Sequence, residues 1–115
     1  MILIVGGAHS GKTTLLDSLA QSHGGDAKGL SVVDDAELLF ADAAEAEAPA
    51  IADDLACRFA VACRLVGGGI VPCSPEKRRE RERIGRGVAL LAARADTVIE
   101  TVCGIPVVLK GPPCA

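Results

Sequence analysis

Met1-Ile2-Leu3-Ile4-Val5-Gly6-Gly7-Ala8-His9-Ser10-Gly11-Lys12-Thr13 opens the chain. Its apolar start, Met1 to Val5, is unbroken, which predicts a strand buried on both faces, as in a parallel sheet. The run passes directly into a glycine, a four-residue spacer and Gly-Lys-Thr. With a strand before it and a helix after it, that spacing is the phosphate-binding P-loop. The chemistry explains the spacing: many donors must crowd a triphosphate, and glycines let backbone N–H groups curl inward without side chains in the way. Gly6, Gly7, Ala8, His9, Ser10 and Gly11 are therefore expected to wrap the phosphates. Lys12 should bridge the β- and γ-phosphates, the Thr13 hydroxyl should hold Mg²⁺, and Thr14 is placed beside them among the nucleotide contacts. The expected ligand is ATP or GTP with Mg²⁺.

From Lys12 the pattern turns helical, with Leu15, Leu16 and Leu19 on one stripe and Gly24-Gly25 as the stop. Leu30 to Val33 reads as a second buried strand ending in acid at Asp34-Asp35. A carboxylate there can reach the magnesium of a nucleotide lying across the strand ends, so Asp34 is the expected metal-side acid. Asp35 directly precedes the next helical pattern and is read as its cap, and Glu37 as solvated first-turn charge. Ala36 to Glu47 is rich in Ala, Leu and Glu and predicts one helix, ended where Pro49 disfavours helical backbone at Ala48. A further helical piece is expected from Ala50 to Cys57 and a third strand from Phe59 to Cys63, followed by a flexible Gly67-Gly68-Gly69 connection.

Ser74-Pro75-Glu76 combines a capping residue, a first-turn proline and early acid, and Ile84, Val88, Leu91 and Ala95 recur at helical spacing. A helix to about Arg94 follows, weakened locally by Gly85 and Gly87. Thr97 to Val102 and Ile105 to Leu109, split by Cys103-Gly104, read as neighbouring strands. Strands alternating with helices predict an α/β fold, a P-loop NTPase-like three-layer sandwich with a mostly parallel sheet.

The chain has 115 residues, half of them apolar, so one domain over residues 1–110 is expected, with 111–115 as a disordered tail. Two Phe and no Trp or Tyr argue against aromatic surfaces for stacking single-stranded nucleic acid, so no nucleic-acid partner is expected. No apolar run has the ~18 residues of a spanning helix, and the start is too short for a signal peptide, which predicts a cytoplasmic protein with no membrane partner. Five cysteines without a Cys-x-x-Cys pair suggest neither a disulfide framework nor a zinc ribbon. Charge is sorted along the chain: residues 34–54 hold eight acids and no base, while residues 75–94 hold seven bases and three acids. Lys77, Arg78, Arg79, Arg81, Arg83 and Arg86 read either as a solvated helix face laced by Glu80 and Glu82 or as an anchor for an anion. The acidic stretch is the obvious internal partner. His23, near a helix end, can simply interact with the last carbonyls.

The opening strand and loop, with Val66-Gly-Gly-Gly-Ile-Val-Pro72, Gly85-Arg86, Leu91-Ala-Ala93, Ala95-Asp96 and Gly104-Ile105, resemble the adenosylcobinamide kinase/adenosylcobinamide-phosphate guanylyltransferase family over about three quarters of the chain. The resemblance implies a P-loop kinase fold, purine triphosphate use, a corrinoid alcohol as acceptor, and homo-oligomers. Members of that family are longer, and between the first helix and the acidic strand they carry the histidine that takes up a guanylyl group. Nothing here matches that segment, neither His9 nor His23 inherits its role, and Arg64-Leu65 and Val88-Ala89 stand where the family has Asn-Glu and Asn-Gln. The expectation is therefore phosphoryl transfer from an NTP to a corrinoid or related alcohol, without guanylyl transfer. The alternative is a non-catalytic nucleotide-binding module with a regulatory or structural role.

Overall fold

The structure, a computed structural model, describes residues 1–7, 11–22, 32–64 and 74–111. Strand β1, Ile2–Gly6, is buried along its whole length, as its apolar run requires. It is flanked in parallel by β3, Ala60–Arg64, and β4, Thr97–Val102. The short β2, Val32–Val33, adds in parallel to β3, and β5, Ile105–Lys110, adds antiparallel to β4, giving the order β2-β3-β1-β4-β5. The protein is thus α/β, with a five-stranded, mostly parallel mixed sheet.

Alternation along β1 sorts its side chains to two faces. Ile2 and Ile4 join Ala60, Ala62 and Ile99 under Leu16 and Leu19 of helix α1, Lys12–Ser22. Leu3 and Val5 join Val61, Cys63 and Val98 on the other face. That face is covered by α2, Glu37–Ala41, α3, Ala48–Ala56, and α4, Pro75–Arg94. Because α1 follows β1 on one face and α4 follows the neighbouring β3 on the other, the connections diverge at the carboxyl ends of β1 and β3. Open α/β sheets bind ligands at such a divergence.

Several local expectations are corrected. The helix expected over Ala36 to Glu47 stops at Ala41, and the chain re-enters a 3-10 turn at Glu45–Glu47. Ala-rich propensity gives way to packing: the Arg83 Nε–H donates to the Ala41 carbonyl at 2.8 Å, and the Ala43 N–H closes a tight turn onto the Phe40 carbonyl. Pro49 does not displace Ala48 from helical backbone, since Ala48 has φ −56° and ψ −44°, and the proline occupies the first turn of α3, where its missing N–H costs nothing. Helix α4 spans Pro75–Arg94 without interruption at Gly85 or Gly87, and Ser74 occupies its N-cap position without a side-chain bond. Gly87 lies against the Phe40 ring, so close that a Cβ there would enter it.

The acidic and basic stretches meet between α3 and α4, where Arg94 Nε pairs with Asp53 Oδ1 at 2.6 Å. Strand β5 is exposed along its whole length, with Ile105, Val107, Val108 and Leu109 on the surface. Among the described residues no helix is long and apolar enough to cross a membrane. The expected turns at Gly24-Gly25 and Gly67 to Gly69, together with Leu30, His23 and residues 112–115, lie outside the described residues.

Candidate functional site

The carboxyl end of β1 delivers Gly6 and Gly7, and the chain returns at Gly11 to begin α1. Gly11 has φ +96°, a conformation a side chain strongly resists, and a Cβ there would stand 3.2 Å from the Gly104 Cα. Its carbonyl accepts the Leu15 N–H at 3.0 Å, so helical bonding starts at the glycine. Lys12 curls back towards β1, its Nζ donating to the Gly7 carbonyl at 2.8 Å. The ammonium therefore stands at the mouth between β1 and α1. Ala8, His9 and Ser10 lie outside the described residues.

Thr13 and Thr14 are both exposed in the first turn of α1. The Thr13 Oγ1 hydroxyl donates to Asp34 Oδ2 at 2.7 Å, across a separation of 21 residues. The other carboxylate oxygen, Oδ1, accepts the Asp35 N–H at 2.8 Å, which fixes the orientation of the group. A hydroxyl and a carboxylate thus converge beside the loop, and both are the hard oxygen donors that Mg²⁺ prefers. Among the described residues no cluster of three metal-ligating side chains occurs.

Asp35 is not the expected cap. Its φ is +52°, and Ala36 occupies the N-cap position of α2 without a side-chain capping bond. Asp35 contributes its carbonyl, which accepts the Leu38 N–H at 3.1 Å.

Glu37 is a second correction: it is 6% exposed rather than solvated. Its Oε1 accepts the Arg64 backbone N–H at 3.0 Å, at the end of β3, while Oε2 is buried with no partner among the described residues. Leaving such an oxygen unpaired costs about 1–3 kcal/mol, more for a charged group, so the position demands an explanation. A sequence signal was present: Glu37 is one helical turn before Phe40 and Ala41, which share its buried face.

Cys63 is buried at the end of β3 beside these charges. Burial chiefly, with Glu37 and Asp34 also raising the value and Lys12 lowering it, pushes its thiol up to about 12. At pH 8 iodoacetamide is expected to alkylate exposed Cys57 and Cys103 and to spare Cys63 in the native protein, since the thiolate is the nucleophile. Peptide mass mapping reads the result, and native labelling of Cys63 at the rate of Cys103 would contradict it. The folded thiol keeps its proton while an unfolded one, with the ordinary value of 9.0, loses it. Its contribution to stability is therefore complete below that value and declines as pH rises from about 9 towards 12.

A cavity of about 550 Å³ lies elsewhere, between the α2–α3 connection and α4, lined by Asp42, Arg79, Glu82, Arg83 and Arg86. Neither Lys12, Thr13 nor Asp34 lines it, so it is distinct from the loop. Three of the cluster's arginines open into it beside two acids, which leaves the solvated-face and anion-anchor readings both standing. Neither the known protein-family models nor the curated proteins match this chain.

Proposed function

We propose that this chain is a P-loop purine-nucleotide-binding protein of the P-loop NTPase-like fold that transfers a phosphoryl group from ATP or GTP to a corrinoid or related alcohol. The observation that carries the reading is the 2.7 Å bond between Thr13 and Asp34 beside a lysine bonded to the Gly7 carbonyl. These groups come from separate elements and meet where open α/β sheets bind ligands. The alcohol as acceptor and homo-oligomers rest on the sequence resemblance alone.

Phosphoryl transfer needs positioning and charge stabilisation more than covalent chemistry from the protein. Gly6, Gly7 and Gly11 supply an uncluttered backbone for the phosphate oxygens. The Lys12 ammonium exchanges the Gly7 carbonyl for a phosphate oxygen, trading a neutral acceptor for an anionic one. Thr13 and Asp34 would hold Mg²⁺, which would supply charge neutralisation for the phosphates when bound.

The test is titration with ATP and GTP in magnesium, followed by phosphate-release and cobinamide-phosphorylation assays. Saturable, magnesium-dependent binding is expected, and failure of both purines to bind overturns the proposal. The second reading, a non-catalytic nucleotide-binding module, is favoured by Val88, which packs half-buried against the core where the resembled family has a polar residue. Binding without turnover of any acceptor would select it.

Asp34→Asn is expected to weaken the magnesium dependence of nucleotide binding by about 10–100-fold, the usual effect of losing a partner at a metal shell. Asp35→Asn should change it little. Asparagine tolerates the positive φ of position 35, so that comparison leaves the backbone undisturbed. Magnesium titrations at fixed nucleotide measure both, and equal, negligible effects would remove Asp34 from the metal side.

A further inference from the structure

Glu37 has no role in the loop, the metal side or the core, yet the chain holds it buried at the carboxyl end of β3. The segment from Asp34 to Glu37 is tied along that strand in steps. Val33 pairs with Val61, the Ala36 N–H donates to the Ala62 carbonyl at 3.0 Å, and Glu37 Oε1 accepts from Arg64. Arg64 in turn is the register partner of Gly6. The Glu37 carboxylate therefore stands one hydrogen bond plus one strand spacing, about 8 Å, from the first residue of the phosphate loop.

The two carboxylates of this segment serve different sides. Asp34 is bonded to Thr13 at the start of α1. Glu37 begins α2, whose Phe40 packs in the opposite layer with Leu91 of α4. A triphosphate held by the loop and α1 thus has Glu37 on the side away from α1. In-line transfer needs the acceptor oxygen opposite the leaving group.

The geometry points to Glu37 as the residue that receives the acceptor's hydroxyl: its buried, unpartnered Oε2 takes the hydrogen bond and then the proton of the water or alcohol that attacks the γ-phosphorus. This rests on the reading of Gly6 to Thr13 as the triphosphate site. In the step, the acceptor oxygen forms its bond to the γ-phosphorus as its O–H proton passes to Oε2. The bond from the γ-phosphorus to the β,γ-bridging oxygen breaks, and that electron pair leaves with the nucleoside diphosphate. The carboxylic acid returns its proton to solvent when product departs. Oε1 stays on the Arg64 N–H throughout, which keeps the attacking group's partner fixed. The field at Cys63, shaped by Glu37, Lys12 and Asp34 together, marks these charges as one neighbourhood.

The test uses the full chain with γ-labelled ATP and GTP in magnesium and water as the acceptor, reading nucleotide affinity and single-turnover phosphate release. Glu37→Gln keeps the side-chain volume and an oxygen for Arg64, but replaces the proton-accepting oxygen. It is expected to bind nucleotide as wild type does and to release phosphate at least about 100-fold more slowly, as loss of a general base does. Glu37→Asp, which retains charge but withdraws it, should fold, bind and slow release at least about tenfold, and it keeps the test intact if the glutamine variant does not fold. Wild-type release by either variant overturns the inference. So does a parallel fall of affinity, rate and melting temperature, which marks a strut and not a catalytic group. A wild-type protein that binds triphosphate and releases none overturns the inference while leaving the nucleotide site standing. One that binds no triphosphate removes both.

Discussion

Lys12→Ala is expected to bind ATP and GTP at least about 100-fold more weakly than wild type under the proposed nucleotide-binding reading, a loss of roughly 2.8 kcal/mol at 1.4 kcal/mol per tenfold. The magnitude follows from the bond exchanged. Among the described residues the ammonium donates to the Gly7 carbonyl, and the side chain is half-exposed. On a triphosphate it would meet anionic oxygens, whose charge-assisted bonds are roughly twice as strong as neutral ones. The variant leaves those oxygens facing a neutral methyl. Stability should barely move, because the freed Gly7 carbonyl is in the exposed loop and a net intramolecular bond contributes only about 0.5–1.5 kcal/mol. Calorimetric titration beside a thermal melt separates the two quantities. Unchanged affinity would end the P-loop reading, and a collapsed melt would assign Lys12 to the fold.

How far the sequence could be read depended on how far away each residue's decisive partner lies. The stretch from Ile2 to Gly6 was legible because an unbroken apolar run ending in glycine has few alternatives, and it became the central strand. Helix α4 was legible because its starting signal and its apolar stripe are both local, and β4 and β5 because the turn between them is marked by Gly104. Asp34 was singled out by its position at a strand end, and the structure bonds it to Thr13 across 21 residues. The readings that failed concern long-range partners. Ala36 to Glu47 has the composition of a helix, but the bond that ends α2 comes from Arg83, 42 residues away. Glu37 sits where first-turn acid is usually solvated, yet it is drawn inside by a backbone N–H 27 residues along the chain. Asp35 stands beside a helix start and fails to cap it because its own backbone is left-handed. No local pattern encodes these events, since each is decided by which element packs alongside.

Phe40→Ala is expected to cost about 3–5 kcal/mol, the usual range for truncating an enclosed phenylalanine, and so a large part of the stability of a chain this size. Phe40 is 1% exposed, and its ring is where α2, the core of the sheet and α4 meet. Its partner in α4 is the flat face of Gly87, and the two residues fit only as a pair. Gly87→Ala gains helix propensity of up to about 1 kcal/mol, but it drives a methyl into a ring that has no space to retreat, at about 1–3 kcal/mol, so the clash wins and the variant is less stable. Gly85→Ala is the control. It lies in the same helix with nothing within 4 Å of its would-be Cβ, so it should gain about 0.5–1 kcal/mol. In the double variant Phe40→Ala/Gly87→Ala the added methyl enters the cavity that the ring has left, so the clash disappears and part of the void is filled. The combined loss should fall short of the sum of the single losses by at least about 1 kcal/mol, the coupling expected of residues in direct contact. Urea denaturation of the four proteins and the parent measures the cycle. Strict additivity would mean that Phe40 and Gly87 do not touch, and that α2 and α4 are held together by other contacts.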